Sequence, residues 1–189
     1  MAPQRPKRRR RRPAAARAAE NGHAAARIAT IIGMECRIRE MGPADRLVWA
    51  RMRSQLWPDE ILDAYLAMID EILGSDDAWS FIAEAAGAAA GFAELAIRKY
   101  ANGCESRPVP FLEGIWVEEQ LRRRRIGARL LNHIEAFVGR RGFREIGSDA
   151  FADDRVSHAA HAAWGFTETE RVVYFRKPLA KSEPRSRGS

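Results

Sequence analysis

Residues 109–138 read VPFLEGIWVEEQLRRRRIGARLLNHIEAFV and decide the architecture of the chain. The first nine residues, Val109–Val117, are mostly apolar on both faces, which predicts a central strand of a sheet. Four consecutive arginines then lead into a segment in which apolar residues recur at helical spacing, from Ile126 to Val138. A strand, a basic loop and an amphipathic helix therefore follow one another, which predicts a domain that mixes strands and helices.

Periodicity elsewhere in the chain alternates between two residues and about 3.6 residues, which is typical of an α/β or α+β domain. Predicted helices end at proline or glycine, as at Pro58. The Asn102-Gly103 pair is typical of a tight reversal between two strands, so the middle of the sheet is predicted to be antiparallel. The further predicted elements are strands at 36–41, 79–84, 88–99, 144–149 and 167–177, and helices at 45–56, 59–73 and 156–164.

The chain has 189 residues, a length that fits one domain and leaves little room for a second core. Recognisable structure begins after Met34, which predicts a domain over 34–179 between a disordered leader, 1–33, and a disordered tail, 180–189. No stretch approaches the roughly 18 apolar residues of a membrane helix. Two cysteines are too few for a disulfide framework, and the apolar core of a secretory signal is missing. These features predict a cytoplasmic protein that does not span a membrane.

The formal net charge of +7 is unevenly distributed along the chain. Residues 1–33 hold nine basic residues and one acidic residue, whereas the rest of the chain holds 23 basic and 24 acidic residues. The leader could bind nucleic acid or an anionic surface, act as a targeting segment, or be an extension upstream of a translation start at Met34. A basic run is weak support for nucleic-acid binding, so no functional residue is assigned to the leader.

Glu113 is an ionisable residue within an apolar row, because two-residue alternation places it on the strand face of Phe111, Ile115 and Val117. Burying a carboxylate without a partner costs on the order of several kcal/mol. Perturbed carboxylates concentrate at functional sites, but structural ion pairs also hold them. Two interpretations remain open here, a functional carboxylate and a structural ion pair with one of the many arginines.

The basic loop before Ile126 is a candidate anion site. A helix N-terminus presents unpaired N–H groups and the positive end of the helix dipole, which suit a phosphate or pyrophosphate. The arginines at 122–125 add positive charge, and Gly127 lets a ligand approach the backbone closely. The alternative interpretation is a solvated basic loop.

Asp149 ends the short predicted strand at 144–149. Strand ends in α/β sheets face the ligand crevice, which favours a functional Asp149, but an aspartate that forms a turn explains it equally simply. His158 and His161 are spaced i, i+3 on a predicted helix. They lack a further ligand at suitable spacing, so the sequence argues against a zinc site.

The strand, loop and helix resemble the acyl-CoA-binding motif of the GNAT acetyltransferases, Gln/Arg-x-x-Gly-x-Gly/Ala. Arg122 fills the first position and Gly127 the last, whereas Arg125 stands where the first glycine is expected. If the loop needs a positive φ at Arg125, its side chain strains the backbone there, although the N–H donor remains. A frame that starts at Arg124 restores one glycine and loses the other.

Five flanking segments are more specific than the loop and are similar to the aminoglycoside 6'-N-acetyltransferases over about residues 35–177. They are Leu56–Pro58, Tyr100–Cys104, Pro108–Ile115, Ser148–Asp149 and Gly165–Arg171. The resemblance implies a mixed, mostly antiparallel sheet flanked by helices. It also implies acetyl-CoA as co-substrate without a metal, a homodimer, and acetyl transfer to the 6'-amine of aminoglycoside antibiotics, hence a role in resistance.

The resemblance further implies roles for individual residues. Those implied to line the antibiotic site are Trp57, Tyr100, Glu113, Asp149 and Glu170. Those implied to hold acetyl-CoA are Ile115, Trp116 and Val117 along the pantetheine, Arg122, Arg123, Arg124, Arg125, Ile126 and Gly127 at the pyrophosphate, and His161 near the coenzyme. Asp154 is assigned to the same coenzyme site, although it departs from the Asn that similar proteins carry there.

Direct acetyl transfer needs a deprotonated amine beside a polarised thioester carbonyl. Glu113 is the candidate general base, directly or through a water molecule, and Asp149 is a second anchor or proton acceptor. A strand N–H near Trp116 would hold the oxyanion. Tyr174 is a candidate proton donor to the departing thiolate, with a place in the core as the alternative. Residues 34–179 carry a net charge of −3, which suits a polycationic acceptor.

Two other functions remain open from the sequence. The same fold could acetylate another amine, such as a polyamine or a protein N-terminus. Alternatively, the chain could be a nucleic-acid-binding module that uses Arg8–Arg12, with a catalytically idle domain. For that module, deleting residues 1–33 should abolish nucleic-acid binding and leave no reaction with acetyl-CoA.

Overall fold

The computed structural model describes residues 36–179, so the predicted leader at 1–33 and tail at 180–189 lie outside the described residues. In that range the chain forms five strands and four α-helices, with single 3-10 turns at Pro43–Asp45 and Glu119–Leu121. In chain order the elements are β1 (Arg37–Glu40), α1 (Arg46–Leu56), α2 (Leu62–Leu73), β2 (Ala78–Ala85), β3 (Ala88–Arg98), β4 (Val109–Val117), α3 (Ile126–Gly139), β5 (Gly147–Ser148) and α4 (Arg155–Ala163).

The chain divides after Asp149 into two compact units. The first unit contains the whole sheet and helices α1, α2 and α3, and the second contains α4. The sheet has the order β1-β2-β3-β4-β5. All neighbouring strands are antiparallel except β4 and β5, which are parallel. The predicted fold class, a mixed and mostly antiparallel sheet flanked by helices, is confirmed.

Adjacent residues of β2 show that helices cover both faces of the sheet. The ring of Phe81 lies 5.1 Å from that of Phe137 on α3. Ile82, whose side chain points to the opposite face, belongs to a cluster that joins the sheet to α1 and α2. The buried members of this cluster are Met41, Trp49, Ala50, Met52, Tyr65, Ile69, Ile82, Phe92 and Trp116. The three helices of the first unit therefore enclose the sheet between two apolar layers.

A turn stabilised by Asp45 fixes the start of α1. The carboxylate of Asp45 accepts a hydrogen bond from the Gly42 N–H at 2.9 Å and two from the Arg39 guanidinium at 2.8 Å each. These donors hold the pKa of Asp45 below its ordinary value, with the Arg39 hydrogen bonds as the largest cause. The helix that follows ends at Leu56, two residues before Pro58, as predicted.

β4 and β5 pair over only two rungs, Phe111 with Gly147 and Leu112 with Ser148. The approach is close, because a Cβ atom at Gly147 would come within 2.8 Å of the Phe111 ring. Beyond these rungs β4 continues for five residues, to Val117, and among residues 36–179 only β3 pairs with it there. β5 was predicted over 144–149 but spans only Gly147–Ser148. Residues 113–117 of β4 therefore do not pair with β5.

A β-bulge interrupts β4 at Glu113. In the ladder with β3, Leu95 pairs with Leu112 and Glu94 with Gly114, so Glu113 is an extra residue without a partner. A bulge breaks the two-residue alternation of side chains. The sequence-based placement of Glu113 in one uninterrupted row with Phe111 and Ile115 is therefore wrong.

One predicted strand is also wrong. The predicted strand at 167–177 is absent, since residues 166–179 have no strand and the side chains of 167–179 are exposed. β-branched and aromatic residues suit a half-buried sheet, but a strand also needs a neighbour to pair with. The Asn102-Gly103 turn lies in loop 99–108 between β3 and β4, and these strands are antiparallel as predicted, although the loop is longer than a tight hairpin turn.

Candidate active site

Trp57 lies directly against the backbone of β4 beside the bulge. A Cβ atom at Gly114 would come within 2.5 Å of the Trp57 ring, so only glycine leaves room for the indole there. The edge of the same ring packs on Phe92, with 6.2 Å between ring centroids. The Trp57 N–H donates to the Arg53 carbonyl at 2.8 Å, which holds the residue at the end of α1. Trp57 is therefore adjacent in space to the residue after Glu113.

A buried ion pair supports the Trp57 ring from α1. Arg53 Nη1 donates to both carboxylate oxygens of Glu94, at 2.7 and 2.6 Å, and Trp49 Nε1 donates to Glu94 Oε1 at 2.6 Å. The Arg53 guanidinium also lies 4.8 Å from the Trp57 ring centroid, within cation–π distance. Burial raises the pKa of Glu94, and Arg53 offsets part of that effect. This pair was not predicted from the sequence, although Glu94 also stands in an apolar strand row, with Ala90 and Phe92.

Glu113 forms a second ion pair, with Arg98 near the end of β3. Arg98 Nε donates to Glu113 Oε1 at 2.8 Å, and Nη2 donates to Oε2 at 2.6 Å, a two-pronged arrangement. The Arg98 guanidinium also lies 3.4 Å from the centroid of the Phe111 ring. Both partners are partly exposed, with side-chain exposures of 38% for Arg98 and 30% for Glu113. The structure thus gives Glu113 an arginine partner, one of the two interpretations left open by the sequence.

Asp149 stands beside Glu113 at the edge of the sheet. In the parallel register, Leu112 pairs with Ser148, and Glu113 and Asp149 are the next residue of each strand. Ser148 Oγ donates to the Leu112 carbonyl at 3.2 Å, which closes this last rung. Neighbouring strands lie about 4.8 Å apart, so the backbone brings the two acidic residues close together. Asp149 is exposed.

The loop 99–108, which contains Tyr100, is held by a carboxylate from outside it. Glu145, just before β5, accepts hydrogen bonds from the Glu105 and Ser106 N–H groups and from the Ser106 hydroxyl. The Ser106 hydroxyl is the largest cause that lowers the pKa of Glu145. Tyr100 itself is 64% exposed. Nothing in the sequence signalled Glu145 as the anchor of this loop.

The junction between β4 and α3 has the backbone of an anion site. Arg125 is the N-cap of α3 in the left-handed conformation, with φ 63° and ψ 14°, and no side chain caps the helix. Arg123 also has a positive φ, 62°. The N–H groups of the first turn, at Ile126 and Gly127, therefore have no side-chain capping partner. The positive φ that the GNAT motif led us to consider at Arg125 is present.

The exposed edge of β4 suits an extended ligand. Past Leu112 the strand pairs with β3 alone, so backbone groups of Ile115, Trp116 and Val117 on the other edge are available to an extended chain such as pantetheine. The Trp116 side chain is nearly buried, at 9% exposure, in the cluster under α1 and α2. Arg122 Nε donates to the Val117 carbonyl at 3.1 Å, where the strand gives way to the basic loop.

The remaining predicted site residues belong to the second unit. Asp154 caps α4, because its carboxylate accepts the Ser157 N–H at 2.9 Å. His161 packs against the Phe166 ring at 5.2 Å, and its Nδ1 lies 2.8 Å from the Ser157 carbonyl. Glu170 and Tyr174 are exposed, Tyr174 to 82%. In the first unit, Trp57 lies against β4 at Gly114, and Glu113 and Asp149 follow the last rung shared by β4 and β5.

Two features are absent within residues 36–179. No group of three or more histidine, cysteine, aspartate or glutamate side chains in that range is placed to hold a metal ion. None of the helices described there has the length and apolar character needed to cross a membrane.

Residues 45–166 match the Acetyltransferase (GNAT) family. That range contains the bulged strand, the basic loop and the helix that follows it. The chain belongs to the GNAT acetyltransferase family, and the predicted family is confirmed.

The similar curated proteins narrow the relationship further. The chain is 44% identical over 141 residues to an aminoglycoside N(6')-acetyltransferase type 1 of Salmonella enteritidis, covering 74% of this chain and 97% of that protein. It is 46% identical over 147 residues to a protein of the same name from Stenotrophomonas maltophilia, covering 77% of this chain and 95% of the other.

Solved structures give the same result. The aminoglycoside N-acetyltransferase AAC(6')-Iy in complex with CoA has a TM-score of 0.75 and 42% sequence identity, over 78% of this chain and 97% of that one. AAC(6')-Iy in complex with the bisubstrate analogue CoA-S-monomethyl-acetylneamine has a TM-score of 0.73 at 42% identity, over 77% of this chain and 99% of that one.

Proposed function

We propose that this chain transfers the acetyl group of acetyl-CoA to the 6'-amine of aminoglycoside antibiotics, and thereby gives resistance to them. The observation that carries the proposal is the pair of acidic residues, Glu113 and Asp149, at the point where β4 and β5 stop pairing. The two relatives named above also support the proposal, because they match most of this chain at 44 and 46% identity.

The coenzyme would bind along β4 and at the start of α3. Ile115, Trp116 and Val117 offer strand backbone to the pantetheine. The arginine run 122–125 and the uncapped N–H groups at Ile126 and Gly127 suit a pyrophosphate. Acetyl-CoA fits this donor set, because a dianionic group meets both positive charge and free N–H donors.

The acceptor would bind beside the bulge. Trp57 offers an aromatic face to a sugar ring, and Tyr100 lies on the neighbouring loop, 99–108. Glu113 and Asp149 supply carboxylates for the ammonium groups of an aminoglycoside, and the family resemblance assigns the same role to Glu170. A polycation also suits the net charge of −3 over residues 34–179.

In the proposed reaction Glu113 accepts a proton from the 6'-ammonium, directly or through water. The amine nitrogen then forms a bond to the acetyl carbonyl carbon, and the bond from that carbon to sulfur breaks. A backbone N–H near Trp116 stabilises the oxyanion formed between these events. The second proton of the nitrogen passes to Asp149, or to water if Asp149 only anchors the acceptor. The departing thiolate takes up a proton, for which Tyr174 is the candidate donor. Asp154 and His161 would contact the coenzyme.

We also infer a homodimer that works in the cytoplasm. The second unit exposes the apolar and aromatic side chains of Val173, Tyr174 and Phe175, to 76, 82 and 93%. An exposed apolar and aromatic segment of this kind can pair with a sheet edge, and a second copy of the chain offers one. Free Cys36 and Cys104 are compatible with a reducing compartment. Light scattering of the purified protein measures its mass, and a monomer at assay concentration would contradict the dimer.

The proposed reaction is tested with purified protein, acetyl-CoA and kanamycin, by following thiol release and locating the acetyl group by NMR. We expect acetylation at the 6'-amine, with spermidine and a peptide N-terminus as much poorer acceptors. Faster turnover of spermidine or of the peptide would identify the acceptor as another amine. Deleting residues 1–33 should leave the acetylation of kanamycin unchanged.

A further inference from the structure

Two arginine–glutamate pairs lie near each other in the first unit and differ in burial. The side chains of Arg53 and Glu94 are 10 and 5% exposed, whereas those of Arg98 and Glu113 are 38 and 30% exposed. Glu94 and Glu113 are close along the ladder, because Glu94 pairs with Gly114, the residue after Glu113. One pair is therefore part of the core, and the other faces solvent next to the proposed acceptor site.

Burial decides whether an ion pair can exchange its partners. Removing one member of a buried pair leaves an uncompensated charge in the protein interior, which is strongly unfavourable. A partly exposed pair contributes little net stability, because water solvates each charge almost as well as the partner does. Arg98 can therefore leave Glu113 at small cost, whereas Arg53 cannot leave Glu94.

Arg98 also has a second place to rest close to Glu113. Its guanidinium lies 3.4 Å from the centroid of the Phe111 ring, and Phe111 is a buried residue of β4. Stacking on an aromatic face retains a guanidinium after its carboxylate partner is lost. Arg98 would thus stay stacked on Phe111 while another cation binds the carboxylate of Glu113.

An acceptor ammonium and the Arg98 guanidinium need the same two oxygen atoms. Both Glu113 oxygens accept a hydrogen bond from Arg98, at 2.8 and 2.6 Å. We propose that Arg98 is an exchangeable counter-ion of Glu113, a positioning residue that a cationic acceptor displaces and that selects for acceptors of high positive charge. This inference rests on the proposed function, since it concerns the acceptor of the same site.

The selection follows from competition between charges. A monoamine replaces the single positive charge of Arg98 beside Glu113 with another single charge. Its binding therefore gains little free energy from the exchange. A polyamine sugar that also contacts Asp149 brings further charges, which offset the loss of the Arg98 contact. Removing the charge of Arg98 should therefore improve monoamine acceptors more than polycationic ones.

The test compares Arg98→Gln with Arg46→Gln. Arg46 is a matched control, because it has the same 38% side-chain exposure and pairs with Asp70 at 2.6 Å, outside the proposed site. Both variants lose one positive charge. We expect the KM for kanamycin to fall about two- to fivefold in Arg98→Gln, the size of one partly exposed ion pair. The KM for 6-amino-6-deoxyglucose, a monoamine, should fall further, with the KM for acetyl-CoA unchanged in all variants.

Arg98→Lys keeps the charge, so its KM for each acceptor should stay close to the wild-type value. Calorimetric titration of kanamycin without acetyl-CoA measures acceptor binding apart from turnover, and thermal melting shows that each variant is folded. If Arg98→Gln is misfolded, Arg98→Met, which keeps an apolar stem on Phe111, replaces it.

The two proposals fail in different ways. Normal wild-type turnover of kanamycin together with an unchanged or raised KM in Arg98→Gln overturns the role of Arg98 alone. A wild-type protein that neither binds nor acetylates kanamycin overturns the proposed function, and the role of Arg98 with it.

Discussion

Glu113 and Asp149 are the first residues beyond the last rung shared by β4 and β5, the rung formed by Leu112 and Ser148. Two parallel strands thus place their acidic residues at the mouth of the gap that opens between them. The relationship is one of backbone register, so it does not depend on the conformation of either side chain. It gives the site two carboxylates whose roles can be separated by mutation.

Glu113→Gln should lower kcat for kanamycin acetylation at least 100-fold, because a general base contributes about 10²–10⁴. Asp149→Asn should act mainly on the KM for kanamycin, since it removes an anchor and leaves the base. Steady-state kinetics with both substrates measure the difference. A Glu113→Gln enzyme with full turnover removes Glu113 from the role of base, provided that coenzyme binding by calorimetry is unchanged in both variants.

Arg125→Gly should stabilise the protein by about 1 kcal/mol, because a side chain in the left-handed conformation costs that much relative to glycine. The control is Arg122→Gly, which removes the same charge at a residue with an ordinary φ of −60°. That variant should lose stability through the added freedom of the unfolded chain, a cost that both substitutions share, and through the lost hydrogen bond from Arg122 to the Val117 carbonyl. Urea denaturation gives both free energies of unfolding. Equal effects of the two substitutions would show that the conformation of Arg125 carries no strain.

Arg53→Met should destabilise the fold by about 3–5 kcal/mol, since it leaves Glu94 charged and buried without its partner. The double variant Arg53→Met with Glu94→Met should recover much of the loss, because the uncompensated charge is gone. Both variants should raise the KM for kanamycin, as Trp57 loses the guanidinium that supports it. Denaturation and kinetics measure the two effects. An unchanged KM in the folded double variant would contradict support of Trp57 by this pair.

Asp45 should make part of the stability depend on pH. Its folded pKa lies below the unfolded value, so its contribution is present above the unfolded pKa of about 3.9 and is lost as pH falls through the folded one. Asp45→Asn should therefore lower the melting temperature at pH 7, and the difference from wild type should shrink below about pH 4. A difference that stays constant from pH 7 to pH 3 would contradict this assignment.

The sequence was sufficient for the elements whose periodicity is local. The helix at Ile126–Gly139 and the central strand at Val109–Val117 lie where the apolar pattern put them. The family motif also led to the question of a positive φ at Arg125, and the structure has one. These features depend on residues that are close to one another along the chain, so they can be predicted from a single sequence.

Features that depend on distant residues were missed. No local pattern indicates that Arg98 reaches Glu113, that Arg53 reaches Glu94, or that Glu145 anchors loop 99–108. The bulge was missed for the same reason, because a surplus residue is defined by the neighbouring strand. The strand predicted at 167–177 is an error of the opposite kind. Its composition suits a strand, but within residues 36–179 no neighbouring strand pairs with it.

The position of Glu113, the proposed general base, depends on the number of residues in β4. Glu113 projects where it does because β4 has one residue more than β3 between two matched rungs. Deleting a single residue at this point would restore an ordinary ladder, and the protein would keep a sound sheet while losing the geometry for chemistry. The number of residues in this strand is therefore constrained by function as well as by folding.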